Sequence, residues 1–410
     1  MNLLKKTYLV LTCILLGMVG NLQAETLVGY PIHPENTQIS LLTCSPGEQI
    51  YELFGHTAIR IEDPTSNIDF VVNYGLFDFN QDNFIYRFVR GKTDYMVGVS
   101  YTRSFLEGYK ERGSSVTQSV LNLTTQEKTD LLNRLDENLK PENREYRYNF
   151  IYDNCATRPY QLIVSAYDYK ITHLQQFNNI TYRDIINKYV PVGSPLNTGI
   201  NLIIGSQADK KITTKESVSF PMYTMDVLNQ THYITCDGST KPVVLTQEVM
   251  HRAPHKEFQV SDLTFYSWII IPLILALICV AYTFKKKRYL PYLTQIILFA
   301  SGIIGIIISY LWFCSHHPLV NNNINFLWCN PLNLILAILL FIRRKPVVRT
   351  IKIILSTISM ILCIIFLIAL IANIQTTTPQ IFSIWVLILI INTTIVHTYQ
   401  SKFKTLRLKR

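Results

Sequence analysis

The alternation of apolar and polar positions divides the chain near residue 260. From Thr264 onward apolar residues come in long runs, at about 264–284, 291–314, 326–342, 351–373 and 380–398. Each approaches the roughly 20 residues that a bilayer-spanning helix needs, so five transmembrane helices are predicted. The third run is the shortest, and Asn330, Pro331 and Asn333 interrupt its first half. Before Thr264 the apolar runs are short and periodic. "QISLLTC" (38–44), "HTAIRIED" (56–63) and "DFVVNYG" (69–75) alternate as strands do, and "DPTSN" between the last two marks a hairpin. "SPGEQIYELFG" predicts a helix with Ser45 as cap, Pro46 at the first position and Glu48 closing a capping box. "DNFIYRFVRG" and "SFLEGYKER" predict short helices, and "DYMVGVS" and "SVTQSVLNL" predict strands. "TTQEKTDLLNRLDENL" (124–139) is an amphipathic helix with Leu131, Leu132, Leu135 and Leu139 on one face. Another helix is expected to begin at or just before Cys155, in "CATRPYQLIVSAY". Residues 25–260 therefore read as an α+β domain. Within it, 206–217 is expected to be an exposed loop or substrate-facing lid, and 251–262 a linker.

Charge orients this layout. Before Thr264 there are 24 basic and 28 acidic residues; from Thr264 on there are 14 basic and no acidic ones. The basic clusters "KKKR", "RRKPVVR" and "SKFKTLRLKR" follow the first, third and fifth runs, while "SHHPLVNNNIN" and "NIQTTTPQ" carry no Lys or Arg. By the positive-inside rule the first helix runs inward, the C-terminal tail (403–410) is cytoplasmic, and everything before the first helix is outside. The basic excess flanks membrane segments, which argues against a nucleic-acid partner. Lys5, Lys6, "TYLVLTCILLGMVG" and "NLQA" form a secretory signal, with cleavage expected after Ala24. The alternative is an uncleaved anchor that adds a sixth helix. The expected layout is a signal peptide (1–24), a periplasmic domain (25–260) and an all-α membrane domain (261–402) in the cell inner membrane.

The mature soluble part holds three cysteines, Cys44, Cys155 and Cys236, and an odd number leaves one unpaired. A disulfide between Cys44 and Cys236 is one candidate pairing, with Cys155 left over. A helix N-terminus favours thiolate, and Asp153 or Asn154 could cap that helix. The backbone N–H of Cys155 could then meet an oxyanion. Pro159 would cost a hydrogen bond to the carbonyl of Cys155 if the helix began there, so the first turn is kinked or the helix starts later. The bland alternative is an inert core cysteine. A nucleophilic thiol needs a base, and His56, opening a strand after Gly55, is the best candidate. Asn73 on the neighbouring strand would orient the imidazole, with Asp69 as the alternative and Tyr74 holding the pocket; for each of these a structural role is the stronger expectation. The polar loop 314–331 falls on the same side as Cys155. There His316, His317 and Asn330 could face a head group, and Trp312 and Trp328 would suit an interfacial belt. An adjacent histidine pair without a third ligand is a weak metal signal, and no metal is predicted. Arg158 and Arg112 could meet a phosphate.

The order His56 … Asn154-Cys155 is similar to that of the circularly permuted relatives of papain and the NlpC peptidases, among them lecithin:retinol acyltransferase. The longer string resembles a more specific family. "LLTCSPGEQIYELFGHTAIRI", "VVNYGLFDF", "NFIYRFVRGKTDYMV", "YNFIYDNCATRP" and "GSQADKKIT", followed by several apolar runs, resemble the Lnb family of Bacteroides-type lipoprotein N-acyltransferases. The resemblance implies a permuted papain-like thiol fold with Cys155 as nucleophile and His56 as base, and no cofactor. It implies a phospholipid acyl donor and transfer to the α-amino group of a lipoprotein's diacylglyceryl-cysteine. Two rivals stay open: a membrane-anchored cysteine peptidase or amidase acting on cell-wall peptides, and a non-enzymatic envelope protein.

Overall fold

The computed structural model describes residues 30–78, 82–167, 170–173, 179–235, 237–254, 260–342 and 345–407. The expected signal peptide and Cys236 lie outside the described residues.

A seven-stranded antiparallel sheet organises the first domain. Its strands are β1 (Gln38–Cys44), β2 (His56–Asp63), β3 (Ile68–Leu76), β4 (Asp94–Tyr101), β5 (Val116–Leu121), β6 (Glu145–Arg147) and a late edge strand, Val244–His251. The spatial order is Val244–His251, β5, β1, β2, β3, β4, β6. Strand alternation sends side chains to two faces. Leu41, Ile59, Ile61, Phe70, Val72 and Tyr74 join the main core with residues of helices Thr125–Leu139, Thr157–Ala166 and Pro221–Gln230. Leu42, Cys44, Ala58 and Val71 face the other way, onto Phe105 and Tyr109 of helix Thr102–Arg112. The register pairs Cys44 with His56 and Ala58 with Asn73, so the ends of β2 and β3 lie together at one rim.

The expected helix in "SPGEQIYELFG" does not form. Ser45 bonds Ser115 instead: its Oγ accepts the Ser115 N–H at 2.9 Å and its own N–H donates to the Ser115 carbonyl at 2.9 Å. Only a 3-10 turn, Ile50–Glu52, remains.

Among the described residues, four helices are long and apolar enough to cross a membrane: Asp262–Lys286, Leu293–Cys314, Pro346–Ile371 and Pro379–Ser401. The third expected span is shortened to a 3-10 turn, Ile324–Leu327, and helix Pro331–Leu339. Nine residues rise about 14 Å, against a hydrocarbon core of about 30 Å. Asn330 sets the start: its Oδ1 accepts the Leu332 N–H at 3.1 Å and its Nδ2 donates to the Leu327 carbonyl at 2.9 Å. Pro331 takes the first helical position, where no N–H is needed.

Both connections that lack Lys and Arg lie against the first domain. The Gly205 N–H donates to Leu319 O at 2.8 Å, Asn323 Nδ2 to Leu202 O at 2.8 Å, and the Thr376 N–H to Asp209 Oδ1 at 3.2 Å. A Cβ on Gly205 would lie 2.0 Å from Asn321 O, so only glycine permits this approach. Residues 206–217 are therefore no free lid. They hold a 3-10 turn, Ser206–Asp209, docked on the membrane domain, and a one-turn helix, Thr214–Ser217.

Candidate active site

Helix Thr157–Ala166 answers the Pro159 problem by starting two residues after Cys155. Pro159 is then its third residue, within the first turn, where N–H groups have no intrahelical acceptor. Asn154, 3% exposed, holds the entry. Its Oδ1 accepts the N–H groups of Ala156 (2.8 Å) and Thr157 (2.9 Å), and its Nδ2 donates to Phe150 O (2.6 Å) and Ser219 O (2.8 Å). Its amide is fully used, so Asn154 caps and does not serve as an oxyanion donor. Asp153 is not the cap. It pairs with Arg158 through two bonds of 2.5 and 2.8 Å, and Arg158 lies 3.5 Å from the centroid of the Tyr146 ring.

The hairpin β2–β3 positions the other half. His56 Nε2 lies 2.5 Å from Asn73 Oδ1. An amide oxygen only accepts, so Nε2 carries the proton and Nδ1 keeps the free lone pair that a base requires. Asp69, the alternative orienter, is bound to Arg60 at 2.8 and 2.9 Å and to Thr102 at 2.5 Å. Tyr74, fully buried, points into the main core and accepts from Asn138 Nδ2 at 3.0 Å, so it is a core residue. The His56 ring stacks on Tyr109 at 6.3 Å.

Cys155 is anchored to this hairpin by residues the sequence did not single out. Thr57 Oγ1 donates to the Cys155 carbonyl. Gly75 adopts φ +89°, and a Cβ there would lie 3.3 Å from Cys155 Cβ and 3.8 Å from Tyr148 Cε2. Thr57, next in sequence to His56, thus ties the backbone of Cys155 to the strand that carries the imidazole. Burial pushes the Cys155 thiol up to about 11, while backbone N–H bonds from Thr57 and from Cys155 itself pull the other way. Burial also lowers His56 to about 4; the Asn73 bond opposes this and the Arg112 cation adds to it. Near neutral pH the thiol and the imidazole are therefore both uncharged. Tyr146 completes the rim. It is 8% exposed, and its hydroxyl has no hydrogen-bond partner. That oxygen lies 4.0 Å from the Gly75 Cβ position that Cys155 also touches.

Other expected residues lie elsewhere. Cys44 is a free, buried thiol on the face of Tyr109, not half of a bridge. Arg112 is paired with Glu52 at 3.0 Å and Arg158 with Asp153, so neither cation is free for a phosphate. His316 and His317 dock the short helix Phe84–Val89: the His316 N–H donates to Arg90 O at 2.9 Å and His317 Nε2 to Phe88 O at 2.7 Å. Asn330 is a helix cap, and Trp328, 1% exposed, is a core residue of the membrane domain, not a belt.

Two family models match the chain. The Lnb N-terminal periplasmic domain matches residues 31–188, and the Lnb transmembrane domain matches residues 258–403. Among curated proteins and among solved structures nothing matches.

Proposed function

The chain belongs to the Lnb family in both of its domains, and from that premise we propose that it is a thiol-dependent lipoprotein N-acyltransferase. The observation that carries this reading is the hairpin itself. It presents His56, oriented by Asn73, on the same rim that holds Cys155 through Thr57 and Gly75.

On this reading His56 Nδ1 takes the Cys155 proton as Sγ attacks an ester carbonyl of a phospholipid. The C–S bond forms, and the carbonyl oxygen carries the charge. The N–H of Cys155 and the Tyr146 hydroxyl stabilise that oxyanion. The C–O bond then breaks, and the imidazolium returns its proton to the departing lysophospholipid alkoxide. The α-amino group of a diacylated lipoprotein attacks the thioester and gives a proton to His56. The amide forms, and Cys155 leaves as thiolate and is reprotonated. The kinetics are ping-pong. The first domain lies in the periplasm above the inner membrane, and the basic clusters, with the C-terminus, lie in the cytoplasm.

The test is mass spectrometry of lipoprotein N-termini in cells without another N-acyltransferase. The wild-type chain should add the third acyl group, and Cys155→Ala and His56→Ala should abolish it. Unchanged N-acylation in both variants would reject the proposal. Release of peptide fragments with no acyl-Cys155 would favour the peptidase.

A further inference from the structure

We propose that a ladder of stacked aromatic rings, running from the rim of Cys155 to the membrane loop, is the binding track for a lipid acyl chain. The assignment rests on the thiol-transfer reading above and adds where the donor lies. Tyr148 and Tyr95 stack at 4.1 Å and 20°, Tyr95 and Phe77 at 4.9 Å and 29°. Phe77 and Phe84 follow at 5.8 Å and 17°, then Phe84 and Phe88 at 6.3 Å and 20°. Phe88 ends the series edge-on to His317 at 5.6 Å. Four successive near-parallel contacts link Tyr148 to Phe88; Tyr95, 7% exposed, backs the ladder from the main core, and the other four rings are half-buried or exposed.

Each end of the ladder has a defined neighbour. At the upper end, the Cβ that Gly75 lacks would lie 3.3 Å from Cys155 Cβ and 3.8 Å from Tyr148 Cε2, so the first ring of the ladder and Cys155 border the same position. At the lower end, helix Phe84–Val89 buries none of its residues. Its Ile85 is 78% exposed, Tyr86 55% and Phe88 47%. Such a contiguous apolar surface marks contact with another apolar phase. Ser315 Oγ donates to Val89 O at 2.7 Å, and His316 and His317 hold Arg90 and Phe88. These residues directly follow membrane helix Leu293–Cys314, so the exposed patch lies at the level where that helix leaves the bilayer.

The occupant follows from the chemistry. None of the five ring residues is charged, and a ridge of rings offers a peptide backbone few partners, whereas a hydrocarbon chain needs none. With the ester carbonyl at Cys155, the chain runs down the ladder with its methyl end toward the bilayer, and the glycerol and head group stay at the thiol.

The experiment uses the full-length chain in lipid nanodiscs containing a phospholipid with a mid-chain diazirine. Photolabel is expected between Phe77 and Tyr95, and Ile85→Ser with Phe88→Ser, both at exposed positions, should reduce it several-fold. In the same variant, acylation of Cys155 by the long-chain phospholipid should fall at least tenfold further than acylation by a soluble short-chain activated ester. Label confined to the membrane helices, or equal losses with both donors, would overturn the track. An unacylated wild-type thiol would count against the transfer reading alone, because the photolabel reports occupancy without chemistry.

Discussion

Tyr146→Phe separates catalysis from stability because the two effects have opposite signs. The Tyr146 hydroxyl is buried with no partner, so deleting it breaks no hydrogen bond of the folded protein. Burying an unpaired hydroxyl costs about 1–3 kcal/mol by mutational data. The variant should therefore be as stable as wild type or about 1 kcal/mol more so. The ring stays, and with it the contact with Arg158 at 3.5 Å. Loss of one preorganised oxyanion donor costs about 10²–10³ in rate. Thioester formation on Cys155, followed by intact-mass spectrometry with a short-chain ester, should slow by that factor. Alkylation by iodoacetamide passes through no oxyanion and should keep its wild-type rate. Undiminished acylation would refute the role of Tyr146 as donor. A lowered unfolding temperature together with slower alkylation would show that the hydroxyl holds structure instead.

The remaining expectations concern the same rim. With His56 near 4 and Cys155 near 11, acylation should be flat over about pH 5.5–9 and fall only as His56 protonates, and an inflection near 6.5 would contradict the neutral pair. Because the folded pKa of His56 lies below its unfolded value near 6.5, the unfolded chain takes up that proton first. Thermal stability should accordingly fall as pH drops from 6.5 toward 4. Asn154→Ala removes a cap and strands two buried carbonyls, so it should cost about 2–4 kcal/mol by thermal unfolding. Asn154→Asp should recover only the cap. Gly75→Ala must hold φ +89° and press on Cys155 Cβ. It should lose about 1–2 kcal/mol and slow both alkylation and acylation, and wild-type rates would show that the space beside the thiol is not used.

What the sequence revealed depended on how local the cause was. Strand alternation predicted β1 with the same bounds, and "DPTSN" predicted the hairpin, because both record which side of a sheet each residue faces. The amphipathic helix expected over 124–139 formed as Thr125–Leu139, opened by a capping box in which the Glu127 N–H donates to Thr124 Oγ1 at 3.3 Å and the Thr124 N–H to Glu127 Oε2 at 2.6 Å. The same pattern at Ser45 failed because Ser115, 70 residues away, claimed that hydroxyl. The third membrane run was long enough by composition. Its asparagines, Asn330 and Asn333, instead found the carbonyls of Leu327 and Trp328 as partners, and these fix where the helix can begin. His56, Asn73 and Cys155 were legible as chemical types at strand and helix ends. Thr57, Gly75 and Tyr146 were not, since their parts exist only once residue 155 is folded back onto the hairpin.

On the proposed reading, the neutrality of the resting pair constrains how the proton moves when the amine attacks the thioester. On that reading, the burial that lowers His56 also raises Cys155, so the thiol gives up its proton only as it attacks. The same burial makes His56 a weak base. An ordinary α-amino group titrates near 8, so full proton transfer from ammonium to an imidazole near 4 would cost about 5 kcal/mol before any bond formed. The amine must therefore arrive already neutral, and it becomes acidic only as its nitrogen bonds to the carbonyl. At that point the oxyanion forms beside the imidazole and raises its basicity through their mutual attraction. Proton transfer and C–N bond formation are coupled by this electrostatics, and the Asn73 bond, which keeps Nδ1 free, fixes which nitrogen receives the proton.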